Sequence, residues 1–319
     1  MYDNLETKKS PKAIFLMGPT ASGKTKIAEK LKQHLPVDII SVDSACIYRG
    51  MNIGTAKPSL SEMGYRPYHL IDIRNPSERY SIRDFKHDAL RVMQKIILNN
   101  RIPLLVGGSM LYFYILFYGL STLPSRMPKI RNILKNQANQ LGWNYIYRKL
   151  NKVDPQSALR IHPNDHQRLL RALEIYLASG FTPTELFNLP KKKFCYDVYQ
   201  FFLIPNKNIL YKNIENRFHK MLENGFQTEV SNLKFKRKLY KNAPAMCCVG
   251  YSQMWSYLSG EINYDKMISL TLNATKYLAK KQITWLRKWE KSCYIINTHS
   301  RTFAVEEIRN FLKKNFNHN

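Results

Sequence analysis

Apolar positions in the first part of the chain alternate between two spacings. Ala13–Met17 is an unbroken apolar run, the pattern of a strand buried on both faces. Ile27, Ala28, Leu31 and Leu35 then recur at helical spacing until Pro36 stops the helix. Val37-Asp38-Ile39-Ile40-Ser41 predicts a second strand, His69-Leu70-Ile71-Asp72-Ile73 a third, and Ile102-Pro103-Leu104-Leu105-Val106 a fourth. Ser81, with Asp84 three residues on, predicts a capped helix whose apolar face is Ile82, Phe85, Ala89, Val92, Met93 and Ile96. Strands alternating with helices predict a parallel sheet.

After Gly119 the pattern changes. Pro124, Ser125 and Pro128 read as a linker, and Lys129 to about Gly180 is helical and strand-poor, broken at Pro155 and Pro163. Asn164 or Asp165 caps a helix running to Ala178. The apolar run Tyr199–Ile204 predicts a returning core strand. Helices follow over Lys207–Asn224, Phe226–Lys238, Gln253–Ser259 and Tyr264–Lys291, then a strand over Tyr294–Ile296 and a helix over Val305–Lys314. The expected division is 1–123 as the first part of the core, 124–190 as a helical insertion, and 191–319 as the rest of the core with basic C-terminal helices.

The first strand runs into Gly18-Pro19-Thr20-Ala21-Ser22-Gly23-Lys24-Thr25, the G-x-x-x-x-G-K-[ST] phosphate loop between strand and helix. Its glycines let backbone N–H groups reach phosphate oxygens. Lys24 adds a positive charge, and the Thr25 hydroxyl is placed to ligate Mg²⁺. The helix that follows points its dipole at the anion. The loop calls for a diphosphate or polyphosphate without specifying ATP. The fold class is therefore α/β: a P-loop NTPase-like core with a parallel sheet and helices on both faces, plus a mainly helical insertion domain. In such a sheet ligands sit at the carboxyl ends of the strands, which is where Asp43 and Ser109 fall, beside Lys24. Asp43 suits a base that takes a proton from an incoming nucleophile, or a carboxylate that caps a turn or orients a metal ligand. Ser109 has no histidine partner and no G-x-S-x-G context, which excludes a hydrolase nucleophile.

Charge adds a partner. Fifty Lys and Arg against 23 Asp and Glu give a net charge of +27. That points to a polyanion, although the chain is rich in Lys, Asn and Ile throughout. Arg168 and Arg171 share a helix face. On the segment Lys276–Trp289, Lys280, Thr284, Arg287 and Lys291 recur on one side and Leu278, Trp285 and Trp289 on another, against the core. The five cysteines are irregularly spaced, with no C-x-x-C pair, which argues against a disulfide framework. The N-terminus lacks a signal-peptide pattern, and the greasiest run, Met110–Leu120, is shorter than the ~18 residues of a membrane helix. A cytoplasmic monomer is expected. Asn151-Lys152-Val153-Asp154 matches the guanine-reading N-K-x-D motif, but no D-x-x-G lies between it and the phosphate loop.

Together these stretches resemble the tRNA dimethylallyltransferases, also called tRNA isopentenyltransferases. The resemblance is carried by GPTASGKT (Gly18–Thr25), SVDS (Ser41–Ser44), NIGTAKP (Asn52–Pro58), PLLVGGSMLY (Pro103–Tyr112) and RIHPND (Arg160–Asp165). Gln167–Ala172, VGY (Val249–Tyr251), Gln253–Leu258 and AKKQITWLR (Ala279–Arg287) complete it, in order from near residue 10 to near residue 290. It implies transfer of a dimethylallyl group from dimethylallyl diphosphate to the exocyclic amine of the adenosine 3′-adjacent to the tRNA anticodon. The phosphate loop would then hold the prenyl diphosphate, and the base would be flipped out of its stack. The resemblance further implies tRNA contacts at Asp43, Ser44, Ala45 and Cys46, at Ser109 and Arg131, and at Gln167, Arg168, Leu169, Leu170 and Arg171. To these it adds Cys247, Cys248, Val249, Gly250, Tyr251 and Ser252, and then Lys280, Lys281, Gln282, Ile283, Thr284, Trp285, Leu286 and Arg287. Asp43, Lys24 and Ser109 are the implied catalytic set. Three departures stand out. Ser109 stands where the family usually has threonine, Cys247 and Ser252 stand where basic residues are expected, and the Cys/His spacing of the C-terminal zinc finger that some relatives carry is absent. Two other readings fit the phosphate loop: a P-loop kinase acting on RNA or a small molecule, and a non-catalytic, nucleotide-gated RNA-binding protein.

Overall fold

The computed structural model describes residues 10–64, 68–191, 194–236, 239–289, 293–296 and 301–316. In chain order the first elements are β1 (Lys12–Met17), α1 (Lys24–His34), β2 (Val37–Val42), a single turn α2 (Leu60–Met63), α3 (Ile82–Leu98), β3 (Ile102–Gly107) and α4 (Met110–Tyr118). A helical run follows: α5 (Pro128–Leu141), α6 (Trp143–Val153), α7 (Pro155–Arg160), α8 (His166–Ser179) and α9 (Pro183–Asn188). The chain then forms β4 (Asp197–Leu203), α10 (Lys207–Glu223), α11 (Phe226–Ser231), α12 (Tyr251–Leu258), α13 (Tyr264–Arg287), β5 (Tyr294–Ile296) and α14 (Arg301–Phe316). The expected ends at Lys238 and Lys291 lie outside the described residues.

Two compact units result. One combines residues 1–116 with 195–319; the other is Phe117–Phe194. In the first, five parallel strands lie in the order β2-β3-β1-β4-β5. Side chains alternate across the sheet as the strand period demands. Ile14 and Leu16 of β1 join Phe201 and Leu203 of β4 in a core with Ile27 and Leu31 of α1 and Ile308 and Leu312 of α14. Phe15 points the other way, its ring centroid 5.1 Å from that of Phe113 on α4. Ser81 caps α3 through the expected capping box with Asp84.

The stretch His69–Ile73 is not a strand. It makes one bridge, His69 to Ile40, and then Leu70 and Asp72 take positive φ values of 61° and 55°, which no extended run tolerates. The turn delivers Asp72 Oδ1 to Lys57 Nζ at 2.6 Å. Lys57 also donates to the Tyr48 carbonyl and to Asn52 Oδ1, so this lysine holds its own loop together.

The helical unit has its own core of Leu134, Ile146, Leu150, Leu169, Leu170 and Leu173. Asp165 caps α8, as one of the two expected caps. Asp154 of the N-K-x-D look-alike caps α7 instead: it is buried and accepts from Ser157 N, Thr184 N and Thr184 Oγ1. Glu174 is fully buried and accepts from Met127 N, Arg131 and Arg171.

Candidate active site

Parallel register brings three loops to one edge. Met17, Val42 and Gly107 are paired across β1, β3 and β2, and each strand then releases its loop on the same side. Only glycine suits position 18, because a Cβ there would stand 2.7 Å from the Leu203 carbonyl oxygen at the end of β4. Gly23 takes φ 92° as the N-cap of α1, and Ala21 a positive φ of 61°, so the loop curls back over the helix N-terminus. Lys24 Nζ lies folded against the loop, donating to the Pro19 carbonyl at 2.6 Å and to Ser22 Oγ at 3.2 Å. Thr25 is exposed at the first turn of α1.

Thr20 is gripped from outside the loop at two atoms. Its N–H donates to Gln282 Oε1 at 2.8 Å, and its Oγ1 accepts from the Arg217 guanidinium at 2.6 Å. Gln282 Nε2 in turn donates to the Gly108 carbonyl at 2.8 Å. Asp43 Oδ1 accepts from the backbone N–H groups of Ala45 and Cys46 at 2.7 and 3.2 Å, an Asx turn that leaves Oδ2 with no hydrogen bond among the described residues. Thr20, Asp43, Ser109 and Arg217 line one cavity of about 670 Å³, with Tyr48, Tyr80 and Tyr112 supplying aromatic walls and Trp285 at the rim. Trp285 packs edge-on to Tyr114, ring centroids 5.9 Å apart.

Charges in this cavity are tightly coupled. Burial, then repulsion from Arg217, lowers the Lys24 ammonium to about 7, with Asp43 pulling the other way. Burial also lowers Arg217, opposed by attraction to Asp43 and Cys46. Burial and the Asp43 carboxylate push the Cys248 thiol up to about 12 and raise Cys46 well above its ordinary range. Neither cysteine is a thiolate at neutral pH, which removes them as nucleophiles. Arg217, Lys281 and Asp43 thus line a cavity with polar and aromatic walls, and the Lys24 ammonium lies close enough to feel both Arg217 and Asp43. An anion bound at the loop would relieve the repulsion between Lys24 and Arg217.

The loop over Asn52–Pro58 is shaped by Glu229 on α11. Its carboxylate accepts from the N–H groups of Asn52, Ile53 and Gly54 and from the Tyr251 hydroxyl. Gly54 has no room for a Cβ, which would stand 2.2 Å from Phe226 and 2.7 Å from Tyr251.

The implied RNA contacts divide by exposure. Ser44, Gln167, Arg168, Cys247, Lys280, Lys281, Thr284, Trp285 and Arg287 are exposed, and Ser109, Cys248 and Val249 partly so. Leu169, Leu170, Tyr251 and Leu286 are core residues, with no surface to offer RNA. Cys46 and Gly250 are also buried, and Ile283 packs with Leu210, Ile214 and Ala279. Ser252 Oγ donates to Gln253 Oε1 at the start of α12. Arg131 and Arg171 are tied to Glu174, and Arg171 also to the Pro124 carbonyl. Both amide ends of Gln282 are committed inside the protein. Trp289 is buried as expected and donates to Gln200 Oε1, whereas Leu278 and Trp285 line the cavity instead of the core.

Arg217 and Glu229 shape the site and are the residues that motif reading misses. Their signal is a charge set on an apolar stripe. Arg217 sits among Ile214, Phe218 and Met221, and Glu229 among Phe226, Val230 and Leu233.

The model of the IPP transferase family matches residues 46–289 of this chain. A tRNA dimethylallyltransferase of Wigglesworthia glossinidia brevipalpis is 56% identical over 305 residues, covering 95% of this chain and 94% of that protein. Among solved structures, the full-length tRNA isopentenylpyrophosphate transferase of Bacillus halodurans superposes with a TM-score of 0.69 at 32% identity, over 97% of this chain and 99% of the other. A eukaryotic dimethylallyltransferase, captured in crystallographic snapshots acting on tRNA, superposes with a TM-score of 0.82 at 26% identity, over 96% and 80% of the two chains.

Proposed function

We propose how the site works from one premise: this chain belongs to the IPP transferase family. It is a tRNA-modifying prenyltransferase. It transfers a dimethylallyl group from dimethylallyl diphosphate to the exocyclic amine of the adenosine 3′-adjacent to the anticodon. The observation that carries this reading is the single cavity in which Thr20 of the phosphate loop and Asp43 face the same space. A carboxylate beside a phosphate loop would serve a kinase as well; the family match and the tRNA-modifying relatives favour prenyl transfer.

The backbone of Gly18–Thr25 receives the diphosphate, with Lys24 and Arg217 as its counter-charges. Among the described residues no cluster of three His, Cys, Asp or Glu side chains forms a metal cage. Mg²⁺ suits such a site, because it binds through few protein ligands together with substrate phosphates and water. The exposed Thr25 hydroxyl would hold it, and when bound it supplies further neutralisation of charge on the departing diphosphate. The C1–O bond of the allylic ester breaks and its electron pair leaves with the diphosphate. The purine amine forms the new N–C1 bond, and its proton passes to Asp43 Oδ2, the carboxylate oxygen not engaged in the turn. Reaching the amine requires the base to leave its stack, and Tyr48, Tyr80 and Tyr112 in the cavity wall give it aromatic side chains to pack against. Exposed Lys280, Lys281 and Arg287 carry the phosphate backbone, and Gln167 and Arg168 of the helical unit add polar contacts. Ser109, at the start of α4, offers its hydroxyl to the amine. We take the enzyme to act as a monomer in the cytoplasm.

The test is incubation with unmodified tRNA, Mg²⁺ and labelled dimethylallyl diphosphate. Label retained on the anticodon loop is expected; ATP turnover without prenyl transfer would overturn the reading.

A further inference from the structure

The phosphate loop and the turn that carries Ser109 are more than 80 residues apart in the chain and lie side by side because β1 and β3 pair up to Met17 and Gly107. Beyond that last pair, one side chain from a third segment ties them together. Gln282, on α13, accepts from Thr20 N and donates to Gly108 O, both at 2.8 Å. The two bonds also settle which end of the amide is which, since Thr20 N is a donor and Gly108 O an acceptor. Gly108 precedes Ser109, and the Ser109 N–H donates to the Val42 carbonyl, next to Asp43. A chain of bonds thus runs from the diphosphate seat to the proton-accepting edge through this one amide.

A second observation points the same way. Gly108 lies outside the left-handed region, so its lack of a side chain is not needed for backbone conformation. A Cβ there would stand 2.4 Å from Gln282 Nε2 and 3.2 Å from the Gly18 carbonyl. Position 108 is open because the glutamine amide occupies the space.

We propose that Gln282 is a positioning residue that sets the reach between the leaving diphosphate and the attacking amine, and that it does so without touching either. Its bond to Thr20 N–H also withholds that amide from the anion, so Gln282 sets geometry at no gain in diphosphate affinity. The idea rests on the prenyl-transfer reading above. Its neighbours Lys280 and Lys281 are exposed on the same helix, which makes Gln282 the interior end of a helix whose outside meets RNA.

The experiment is a double-mutant cycle on the full-length protein with Gln282→Met and Gly108→Ala. The first removes both hydrogen bonds at nearly constant volume; the second pushes the amide aside and leaves the glutamine in place. Prenyl transfer to unmodified tRNA is measured at saturating substrates, and pyrophosphate affinity by calorimetry. Each single variant is expected to lose about tenfold to a hundredfold in kcat, the scale of a ~1 Å misplacement. KM for tRNA and pyrophosphate affinity should stay near wild type, and the double variant should be no slower than the slower single. Wild-type kcat in Gln282→Met, multiplicative losses in the double, or a loss confined to pyrophosphate affinity or tRNA KM would each overturn the proposal. Should Gln282→Met fail to fold, Gly108→Ala alone must show the kcat loss with pyrophosphate affinity kept. A wild-type protein inert toward dimethylallyl diphosphate would instead overturn the function itself.

Discussion

Arg217 on α10 donates a 2.6 Å hydrogen bond to Oγ1 of Thr20, 197 positions earlier in the chain. Its guanidinium is desolvated in the cavity and lies close enough to Lys24 to lower that ammonium. Two cations that repel one another in the free protein are a stored affinity for an anion. Arg217→Gln is expected to lose about tenfold to a hundredfold in kcat/KM for dimethylallyl diphosphate, from one charge-assisted hydrogen bond of ~1.5–3 kcal/mol. KM for tRNA should hardly move. Steady-state kinetics with each substrate varied in turn checks this.

Lys24 gives a pH dependence with a definite sign. In the free protein its ammonium is lowered to about 7, so above that pH the group is largely neutral, and anion binding must restore its proton. Binding therefore takes up a proton, and the Lys24 contribution to pyrophosphate affinity should fall as pH rises from 7 to 9. Pyrophosphate titrates too, so the readout is the difference between wild type and Lys24→Met, measured by calorimetry in buffers of different ionisation enthalpy. A difference independent of pH would refute the mechanism.

The proposed mechanism gives Asp43 a different job on each oxygen. Oδ1 holds the turn to Ala45 and Cys46, while Oδ2 is assigned the proton. Asp43→Asn keeps an acceptor for the turn and loses the base, so it should fold normally and lose about 10²–10⁴-fold in rate, the range for general base catalysis. Single-turnover rates with both substrates bound make the comparison. An Asn variant at full rate would leave Asp43 as a turn residue alone.

Glu229→Ala removes one carboxylate and strands three backbone N–H groups and the Tyr251 hydroxyl. Urea unfolding should show a loss of about 2–4 kcal/mol, as expected when several donors lose their acceptor together. Glu229→Gln, which keeps acceptor capacity, should lose less.

In the helical unit, Arg168 and Arg171 should separate in their effects. Arg168 is exposed, so Arg168→Ala should raise KM for tRNA and leave thermal stability unchanged. Arg171 shares the fully buried Glu174 with Arg131, and breaking such a network typically destabilises by about 3–5 kcal/mol. Burial would raise Glu174, but Met127 N–H, Arg171 and Arg131 together hold it below its ordinary value. The stability it contributes is present above the ordinary carboxylate range and is lost as pH falls through the lowered value. Acid unfolding of wild type against Glu174→Gln shows whether this holds.

The phosphate loop, the strands on either side of it and the capped helix at Ser81 were legible because each is specified locally, by spacing, capping or a loop motif. His69–Ile73 misled because its composition is strand-like, while Leu70 and Asp72 turn with positive φ, in a turn held by Asp72 N–H on the Cys46 carbonyl and by the Lys57–Asp72 ion pair. The basic helix α13 was legible as a surface. The inward role of Gln282 was not, because nothing in an AKKQITWLR run distinguishes a side chain facing RNA from one bridging two loops far away in the sequence. Arg217 and Glu229 were hidden for the same reason: the loop atoms they hold, at Thr20 and at Asn52–Gly54, lie 175 or more residues away.

The strand order has a consequence for biosynthesis. β1 emerges among the first residues of the chain, yet one of its two neighbours, β4, is translated only after the whole helical unit. Until then β2, β3 and β1 form an incomplete sheet whose edge toward β4 is β1, an apolar strand with unsatisfied hydrogen-bonding groups on that side. A ribosome pausing between residues 117 and 194 would hold that edge open longest, so chaperone capture of the nascent chain should concentrate there and end when Leu203 clears the exit tunnel.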